Sequence, residues 1–244
     1  MKRFENKVVL VTGAGSGIGR STALRMDAEG AILIIVDINK DELIETKSML
    51  KNKESIHKVL DISSSTDVKN FFRDLNKLDV LINVAGILRF DNSHEVEVDD
   101  WNKILNVNLT GTFFMCSYAL PILLKSKGAI VNVSSTAALG SHAWTAAYSA
   151  SKGGISAFSK TLAVEYGMEG LNVNCVCPAS IKTPMSSNPN MPKDIDTRLL
   201  KKIMPIDGVN RSPDDVASTI AFLASEDAIH INGIDLRVDG GLLT

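Results

Sequence analysis

The sequence predicts an α/β fold, a mostly parallel sheet of about seven strands with helices on both faces. Short β-branched runs alternate with longer helical patterns along the chain. Several of these runs are apolar throughout, which is typical of strands buried on both faces. Because crossovers between parallel strands are right-handed, the alternation predicts one doubly wound, Rossmann-type domain over residues 1–244.

The predicted strands are, in chain order, KVVLV, AILIIVD, HKVLD, LDVLINVAG, GAIVNVSS, LNVNCVCP and GIDLRVDGG. Helical stretches separate nearly all of them. Residues 182–212 break this pattern, because they contain Pro184, Pro189, Pro192 and Pro205. A long Pro-rich insertion at the carboxyl end of a strand is usually functional. We therefore expect a substrate lid, with a plain surface excursion as the alternative. The apolar residues suited to cover a ligand are Met185, Met191, Leu199, Leu200 and Met204.

The composition excludes several classes of protein. The chain has a formal net charge of −2 and no basic run, so nothing indicates binding to nucleic acid or to a membrane surface. The N-terminal apolar run VVLV is too short for a signal peptide, and no apolar stretch looks long enough to cross a bilayer. The histidines show no ligand spacing, so no metal site is expected.

The cysteines favour a cytoplasmic location. Cys116, Cys175 and Cys177 form no C-x-x-C pair, which predicts reduced thiols. Cys175 and Cys177 alternate along an apolar run, so we expect them to pack on one side of a strand.

A glycine-rich turn, VTGAGSGIGR, follows the first predicted strand and opens a helix. In open doubly wound sheets this turn holds the pyrophosphate of a dinucleotide. Gly13, Gly17 and Gly19 let the backbone turn sharply and approach the phosphates, and Ser16 lies in the same loop. The free N–H groups near Ile18 would then face the anion. The alternative is a purely structural turn.

Asp37, at the end of the second predicted strand, predicts NAD(H) rather than NADP(H). Its carboxylate can bind both ribose hydroxyls, and it would repel a 2′-phosphate. Ile38 follows it, and no arginine nearby offsets the repulsion, although Lys40 argues the other way. Capping of the next helix is better served by Asn39 or Asp41.

The next two strand ends share the same edge of the sheet. Asp61, followed by Ile62, is placed to bond the adenine amino group. The run NVAG ends the fourth strand, and its Asn83, Ala85 and Gly86 are expected near the ribose. Each of these assignments is individually weak, because an aspartate at a strand end often caps a helix.

Tyr148 and Lys152 in YSASK stand one turn apart on a helix, so both side chains emerge on the same face. A free tyrosine is a poor base at neutral pH, but a nearby lysine cation favours the phenolate, and the positive nicotinamide ring of NAD⁺ would add to this effect. Together the two cations could lower the pKa of the tyrosine by about 3 units, which one solvated ion pair rarely achieves. The alternative is an exposed i,i+4 pair, which contributes only a few tenths of a kcal/mol.

Together these motifs resemble the short-chain dehydrogenase/reductase family over essentially the whole chain. TGAGSGIG matches its T-G-x3-G-x-G turn, YSASK its Y-x3-K, and NVSS its serine-bearing strand. VNL matches the segment with the structural asparagine, and CPASIKTPM lies where the family binds nicotinamide. The resemblance implies a catalytic set of Asn108, Ser135, Tyr148 and Lys152. It also implies that the cofactor is bound by Tyr148, Lys152, Pro178, Ile181 and Thr183.

The resemblance assigns each catalytic residue a role. Tyr148 would remove the alcohol proton while hydride passes to nicotinamide, and Ser135 would hold the substrate oxygen. Lys152 would bind the nicotinamide ribose, and Asn108 would position a water in a proton relay. Ser134 competes for the role of Ser135, but strand alternation sends the two to opposite faces.

Two residues depart from the family pattern. Val84 replaces the second asparagine of N-N-A-G, and Ala179 replaces the glycine after Pro178. If the backbone at Ala179 needs a positive φ, alanine is costly there, and the path near the nicotinamide would change.

The substrate pocket is expected to be mainly apolar, with one possible cation. Arg89 would either meet an acid group of the substrate or remain solvated, and Trp144 is expected to form a wall. The substrate-contacting residues are expected to be Ser135, Leu88, Arg89, Phe90, His142, Trp144 and Met185, with the lid segment.

The helices around residues 104–124 and 150–166 are apolar on nearly all sides, which predicts packing against a partner subunit, and the family is commonly tetrameric. The first functional hypothesis is an NAD-dependent secondary-alcohol dehydrogenase or ketone reductase. The alternatives are a 3-oxoacyl-acyl-carrier-protein reductase and a nucleotide-sensing protein without turnover.

Overall fold

The computed structural model describes residues 2–140, 142–187, 191–193 and 195–244. Seven parallel strands form one sheet in the order β3-β2-β1-β4-β5-β6-β7, so the predicted fold is confirmed. The strands are β1 (Val8–Thr12), β2 (Ile32–Asp37), β3 (Ile56–Val59), β4 (Val80–Asn83), β5 (Ala129–Val133), β6 (Asn172–Pro178) and β7 (Asp235–Val238). The strand order reverses between β1 and β4, which opens a crevice at the carboxyl edge of the sheet.

Helices connect successive strands along the chain. They are α1 (Gly17–Ala28), α2 (Lys40–Met49), α3 (Ser65–Arg73), α4 (Val98–Leu105), α5 (Gly111–Ser126), α6 (Ala146–Tyr166), α7 (Pro184–Ser187) and α8 (Pro213–Leu223). A π-helical turn, Asn106–Thr110, joins α4 to α5. Side-chain caps fix several helix starts: Asn39 accepts bonds from the amides of α2, and Ser212 does the same for α8.

Each face of the sheet has its own core, because successive strand residues point to opposite sides. Val9 and Val11 pack against α1, α2 and α8, whereas Leu10 packs against α3, α5 and α6. The cysteines lie in these cores as free, buried thiols. Cys175 and Cys177 share one small cluster with Ile155, as the alternation predicts.

The continuous helix Val98–Ser126 spans 29 residues and is long and apolar enough to cross a membrane, contrary to the expectation from sequence. In the structure, 44% of its most apolar window is buried within the protein. Met115, Cys116 and Ala119 of this helix belong to the core under the sheet. A core helix passes the same test, so its length and composition are weak evidence for a membrane span.

Candidate active site

A cleft of about 730 Å³ lies at the carboxyl edge of the sheet, between the glycine-rich turn and the lid segment. Most of the residues predicted from sequence line it together. They are Gly13, Ser16, Gly17, Ile18, Gly19, Asp37, Ile38, Asp61, Ile62, Ala85, Gly86, Leu88, Phe90, Ser135, His142, Tyr148, Lys152, Pro178, Ile181, Thr183 and Met185.

The glycine-rich turn has the backbone that its sequence predicts. Gly13 and Gly17 have φ angles of +65° and +51°, in the left-handed region that favours glycine. A Cβ on Gly13 would lie 2.7 Å from the backbone of Ala85, so the first glycine also permits close packing on the fourth strand. Within the described residues, the amides of Ser16, Gly17 and Ile18 have no hydrogen-bond partner. These groups suit the pyrophosphate of a dinucleotide.

Asp37 faces the turn across the adenosine end of the cleft. Its Oδ2 accepts a bond from the Gly15 amide at 2.8 Å, and its Oδ1 accepts one from the Asn39 amide at 2.9 Å. Asn39 caps α2, so Asp37 is not needed as the helix cap. Ile38 beside it is 68% exposed and offers a flat apolar surface to a base.

An arginine approaches the turn that Asp37 binds, but its charge is paired with Glu45, so it does not offset the charge of Asp37. Arg20 lies against the turn, where its guanidinium donates to the Gly15 carbonyl and pairs with Glu45 at 2.6 Å. The sequence did not indicate this role of Arg20, because its acceptor in the turn, the Gly15 carbonyl, is a backbone atom.

Two predicted cofactor residues at strand ends make other contacts. Asp61 lines the cleft, but one oxygen accepts bonds from the amide and hydroxyl of Ser63, as in a local turn. Asn83 is buried in the sheet, where its amide group donates to Asn132 at 2.8 Å and to the Cys116 sulfur at 3.3 Å. Asn83 does not line the cleft, because its side chain lies inside the sheet. Its position therefore does not support direct contact with a cofactor.

The two serines after β5 point to opposite sides, as strand alternation predicts. The Ser134 hydroxyl donates to the Lys152 carbonyl at 2.9 Å and contacts the Ser156 hydroxyl at 3.0 Å, away from reacting groups. Both serines contribute to the cleft lining, but among the described residues the Ser135 hydroxyl accepts a bond only from the Ala137 amide, at 3.1 Å, and it lies close enough to Tyr148 to lower the pKa of the phenol. The geometry therefore favours Ser135 as the residue that would hold a substrate oxygen.

Tyr148 and Lys152 emerge from the same face of α6, with the Lys152 ammonium 5.6 Å from the centre of the Tyr148 ring. The ammonium donates to the Val133 carbonyl at 2.7 Å. Burial lowers the pKa of Lys152 to about 8. Burial also raises the pKa of Tyr148, although the nearby Ser135 hydroxyl opposes this shift.

In the protein alone, the lowering of the Tyr148 pKa expected from Lys152 is not seen, and the contribution of the nicotinamide charge stays a prediction. Loss of hydration is the largest influence on the pKa of Tyr148, and Lys152 is itself buried and bonded to a backbone carbonyl.

Asn108 lies in the π-helical turn and is fully buried. Its side chain accepts a bond from the Ile87 amide at 2.8 Å and donates to the Ile87 carbonyl and the Ser151 hydroxyl. It does not line the cleft directly. However, a Cβ on Gly86 would lie 3.1 Å from the Asn108 oxygen and 3.5 Å from the Lys152 nitrogen, so Asn108 packs behind the cleft wall beside Lys152.

Two predicted substrate residues lie outside the cleft lining. Arg89 points outward and pairs with Asp91 at 2.7 Å and with Asp100 at 2.8 Å, because Leu88 and Phe90 take the inward positions. Trp144 has a φ of +62°, unusual for a large side chain, and its carbonyl accepts a bond from the Asp91 amide. Neither side chain forms the predicted wall or acid-binding site.

The departures at Val84 and Ala179 are accommodated. Ala179 is not among the residues with positive φ, and its amide donates to the Val238 carbonyl at 3.2 Å. The amide of Val84 donates to the Thr12 hydroxyl at 3.0 Å, and its side chain packs on the core. The backbone near the predicted nicotinamide site therefore tolerates alanine.

The lid segment covers the far end of the cleft with apolar side chains. Residues 188–190 and 194, Pro189 among them, lie outside the described residues. Leu199 does not line the cleft, whereas the lining residues of the segment include Met185, Met191, Ile195, Leu200, Ile203 and Met204.

The sequence interpretation missed several residues of the cleft. Glu42 lines its adenosine end, while Lys103 and Thr145 line it from α4 and from the start of α6. The helical spacing of Glu42 from the Asn39 cap could have indicated its position, but Lys103 carries no comparable signal. Among the described residues, no group of three or more His, Cys, Asp or Glu side chains could hold a metal ion.

Comparison with known proteins identifies the family. The family model described as enoyl-(acyl carrier protein) reductase matches residues 13–243. A meso-2,3-butanediol dehydrogenase of Serratia marcescens is 37% identical over 98% of this chain and 95% of the relative. The chain belongs to the short-chain dehydrogenase/reductase family. This membership confirms the prediction of a nicotinamide-dependent oxidoreductase that acts on an alcohol or a carbonyl group.

Other relatives within the short-chain dehydrogenase/reductase family differ in their substrates. A 3-oxoacyl-[acyl-carrier-protein] reductase of Thermotoga maritima is 36% identical over 99% of both chains. The solved 3-ketoacyl-(acyl-carrier-protein) reductase of Brucella melitensis, complexed with NADH, has a TM-score of 0.88 at 31% identity, covering 98% of this chain and 99% of that one.

Proposed function

We propose that the protein is an NAD(H)-dependent oxidoreductase that interconverts secondary alcohols and ketones. The observation that carries this proposal is the meeting of three groups in one cleft. Ser135, Tyr148 and Lys152 all line the cleft, and the Lys152 ammonium lies 5.6 Å from the centre of the Tyr148 ring. This arrangement can bind a carbinol oxygen and exchange its proton.

The residues present fit a dinucleotide. The free amides of Ser16, Gly17 and Ile18 suit its pyrophosphate, and Asp37 suits the hydroxyls of its adenosine ribose. Lys152 and Thr183 line the part of the cleft suited to the nicotinamide end. When bound, NAD⁺ supplies the acceptor for the hydride of the carbinol carbon, and NADH supplies the donor in reduction.

Tyr148 acts as the acid–base residue. In oxidation its oxygen receives the hydroxyl proton of the alcohol, and in reduction it returns a proton to the carbonyl oxygen. Ser135 donates a hydrogen bond to the substrate oxygen and holds it beside Tyr148. The positive charges that favour the phenolate are those of Lys152 and the oxidised cofactor, since the protein alone raises the pKa of Tyr148.

Asp37 and Glu42 favour NAD(H) over NADP(H). Both carboxylates lie at the adenosine end of the cleft. The 2′-phosphate of NADP(H) would add about −2 of charge there and would be repelled by them. The nearby Arg20 already pairs with Glu45, so it does not compensate. The NADH complex of the similar Brucella reductase agrees with this choice.

The substrate is a secondary alcohol or ketone with an apolar body. Leu88, Phe90 and Met185 line the far end of the cleft, while Arg89 is bound to carboxylates outside it. A substrate acid group would therefore find no partner in Arg89. The lid segment closes over such a substrate.

A second candidate is reduction of 3-oxoacyl thioesters, which the 36% identity to the Thermotoga reductase favours. The apolar lid suits an acyl chain. If this second candidate is the function, the protein should reduce acetoacetyl-CoA faster with NADH than with NADPH, because Asp37 opposes binding of NADPH.

The protein acts in the cytoplasm as a homotetramer, without nucleic-acid or membrane partners. The buried thiols suit a reducing compartment. Phe113 on α5 and Val164 on α6 are 46% and 82% exposed, and Gly153 faces open space, so these helices are available to a partner subunit. A helix face of this kind is usually covered in the assembly.

A panel of secondary alcohols and ketones, run with NAD(H) and NADP(H) side by side, tests the function. It should include 2,3-butanediol, a 3-hydroxysteroid and acetoacetyl-CoA. We expect turnover of at least one alcohol with NAD⁺ and at least about tenfold lower kcat/KM with NADP⁺. Absence of turnover across the panel, with normal NADH binding, would favour the nucleotide-sensing alternative. A preference for NADP(H) would contradict the role given to Asp37 and Glu42.

A further inference from the structure

The glycine-rich turn is held from behind by side chains that lie outside the cleft lining. Arg20 extends from α1, and Thr46 and Glu45 extend from α2. They meet beneath Ala14 and Gly15, between the first strand and the two helices.

The carbonyl groups of this turn are bound by two side chains. Arg20 Nε and Nη2 donate to the Gly15 oxygen at 2.9 and 2.5 Å. The Thr46 hydroxyl lies 2.9 Å from the Ala14 oxygen, to which it donates, and it accepts a bond from Arg20 Nε at 3.0 Å. The two side chains therefore act as one hydrogen-bonded unit.

The amide groups of the same residues are bound from the opposite side. The Ala14 amide donates to the Val36 carbonyl at 3.1 Å, and the Gly15 amide donates to Asp37 at 2.8 Å. Every polar backbone group of Ala14 and Gly15 thus has a protein partner. The amides that follow, from Ser16 onward, are the ones left for a ligand.

These hydrogen bonds fix the backbone of Ala14 and Gly15, a glycine-rich segment that would otherwise be conformationally free. Gly13 and Gly17, on either side of the anchored pair, carry the positive φ angles, and glycine has more conformational freedom to lose than any other residue. An anchor between two such residues reduces the ordering cost that a ligand would otherwise meet.

The contribution of Arg20 is geometric rather than a long-range attraction. Its guanidinium is bidentate on one carbonyl and pairs with Glu45 at 2.6 Å, so its charge is compensated within the protein. Its side chain is only 22% exposed, and it does not line the cleft. The planar guanidinium, with two N–H donors on one carbonyl, restricts the orientation of that carbonyl more than a lysine ammonium can.

We propose that Arg20 and Thr46 are positioning residues for dinucleotide binding, which hold Ala14 and Gly15 so that the next amides meet the pyrophosphate. This proposal rests on the proposed function, since it takes the cleft to be a dinucleotide site. The residues act through the backbone of the turn, without contact to the cofactor.

The test compares Arg20→Met, Arg20→Lys and Thr46→Val in the full-length protein. The Kd values of NADH and ADP-ribose are measured by calorimetric titration, and Tm is measured for each variant. We expect the Kd of both ligands to rise about tenfold in Arg20→Met and about threefold in Thr46→Val. Arg20→Lys should fall between Arg20→Met and wild type, because it keeps the charge but loses the fork.

Arg25→Met is the matched control. Arg25 lies on the same helix and also pairs with a carboxylate, Glu29, but away from the turn. We expect its Kd for NADH to stay within about twofold of wild type, even if its Tm falls as much as that of Arg20→Met. If Arg20→Met fails to fold, Arg20→Lys and Thr46→Val decide.

Several results would overturn the proposal. Unchanged ligand binding in Arg20→Met, full recovery by lysine, or an equal loss in Arg25→Met would each exclude a positioning role. Wild type that binds neither NADH nor ADP-ribose would overturn the proposed function as well. Wild type that binds both, with unaltered variants, would overturn only the role of Arg20 and Thr46.

Discussion

The cofactor end of the cleft is lined by hydrogen-bonding groups, whereas the lid end is lined by apolar side chains. At the cofactor end, backbone groups of the turn are tied to side chains of α1, α2 and β2, and a carboxylate is held by two amides. At the lid end, the wall consists of apolar side chains, such as Leu88 and Phe90 from a loop and Met185 from the short helix α7. Hydrogen bonds have fixed directions and specify a ligand closely, whereas apolar contacts specify only size and shape. One fold can therefore keep its cofactor while its substrate changes.

The largest effect is expected at Tyr148, where the two ends meet. Tyr148→Phe removes the hydroxyl that exchanges the substrate proton but keeps the ring. We expect kcat to fall by about 1000-fold or more, as for other acid–base residues, while the Kd of NADH stays within about twofold. Single-turnover rates and fluorescence titration with NADH measure the two quantities. Appreciable activity in this variant would contradict the assigned chemistry.

A smaller change is expected at the cofactor end from Asp37→Ser. Loss of the carboxylate removes both the ribose partner and the repulsion of a 2′-phosphate. We expect the ratio of kcat/KM for NAD⁺ to that for NADP⁺ to fall by about 100-fold, since like charges in contact cost several kcal/mol.

The ratio of kcat/KM values between two alcohols should remain the same in Asp37→Ser, because the lid end is unaltered. A change in alcohol preference would contradict the claim that the cofactor end and the lid end of the cleft act independently.

Lys152 predicts a dependence of stability on pH. Burial lowers its pKa from 10.5 to about 8, so between these values the unfolded chain holds a proton that the folded protein lacks. The free energy of unfolding should therefore rise with pH across this window, by up to about 3 kcal/mol from this residue. Below about pH 8 both states are protonated, and the burial cost is present in full.

Urea unfolding at several pH values compares wild type with Lys152→Met. The difference between the two should shrink or reverse as the pH rises from 8 to 10. A constant difference would mean that the lysine keeps its proton in the folded protein.

The smallest changes in kinetics are expected from substitutions of Phe90 and Arg89, which are neighbours in sequence at the lid end. Phe90→Ala enlarges the apolar wall and should raise KM for a bulky ketone about tenfold. Arg89→Ala removes exposed ion pairs to Asp91 and Asp100 and should change KM by no more than about threefold. Steady-state kinetics with one neutral and one acidic ketone measure both variants. A loss in Arg89→Ala confined to the acidic ketone would restore the acid-binding role first expected of Arg89.

The same contrast explains what the sequence could predict. The parallel sheet, the turn and Asp37 follow from local patterns, because a strand, a glycine motif and a helix succeed one another within a few residues. Strand alternation predicts that Ser134 and Ser135 point to opposite sides of the sheet, but by itself it does not predict which of the two faces the cleft.

The failures have a common physical cause. Arg89 pairs with Asp100 of α4, and the carbonyl of Trp144, whose φ is positive, accepts a bond from the Asp91 amide. These contacts join separate segments, so no local pattern encodes them. Arg20 was missed because its target, the Gly15 carbonyl, is a backbone atom. The pKa of Tyr148 depends on burial, and the spacing of Tyr148 and Lys152 on a helix says nothing about loss of water.

The π-helical turn at Asn106–Thr110 also affects how this chain can tolerate insertions and deletions. Such a turn contains one residue more than a regular helix requires, and each residue advances a helix by about 100°. Because the wide turn takes up the extra residue locally, deleting a single residue there would leave a regular helix, but it would shift Asn108 from its present contacts with Ile87 and Ser151. The length of this segment is thus constrained together with the identity of Asn108, which the wide turn holds behind the cleft wall.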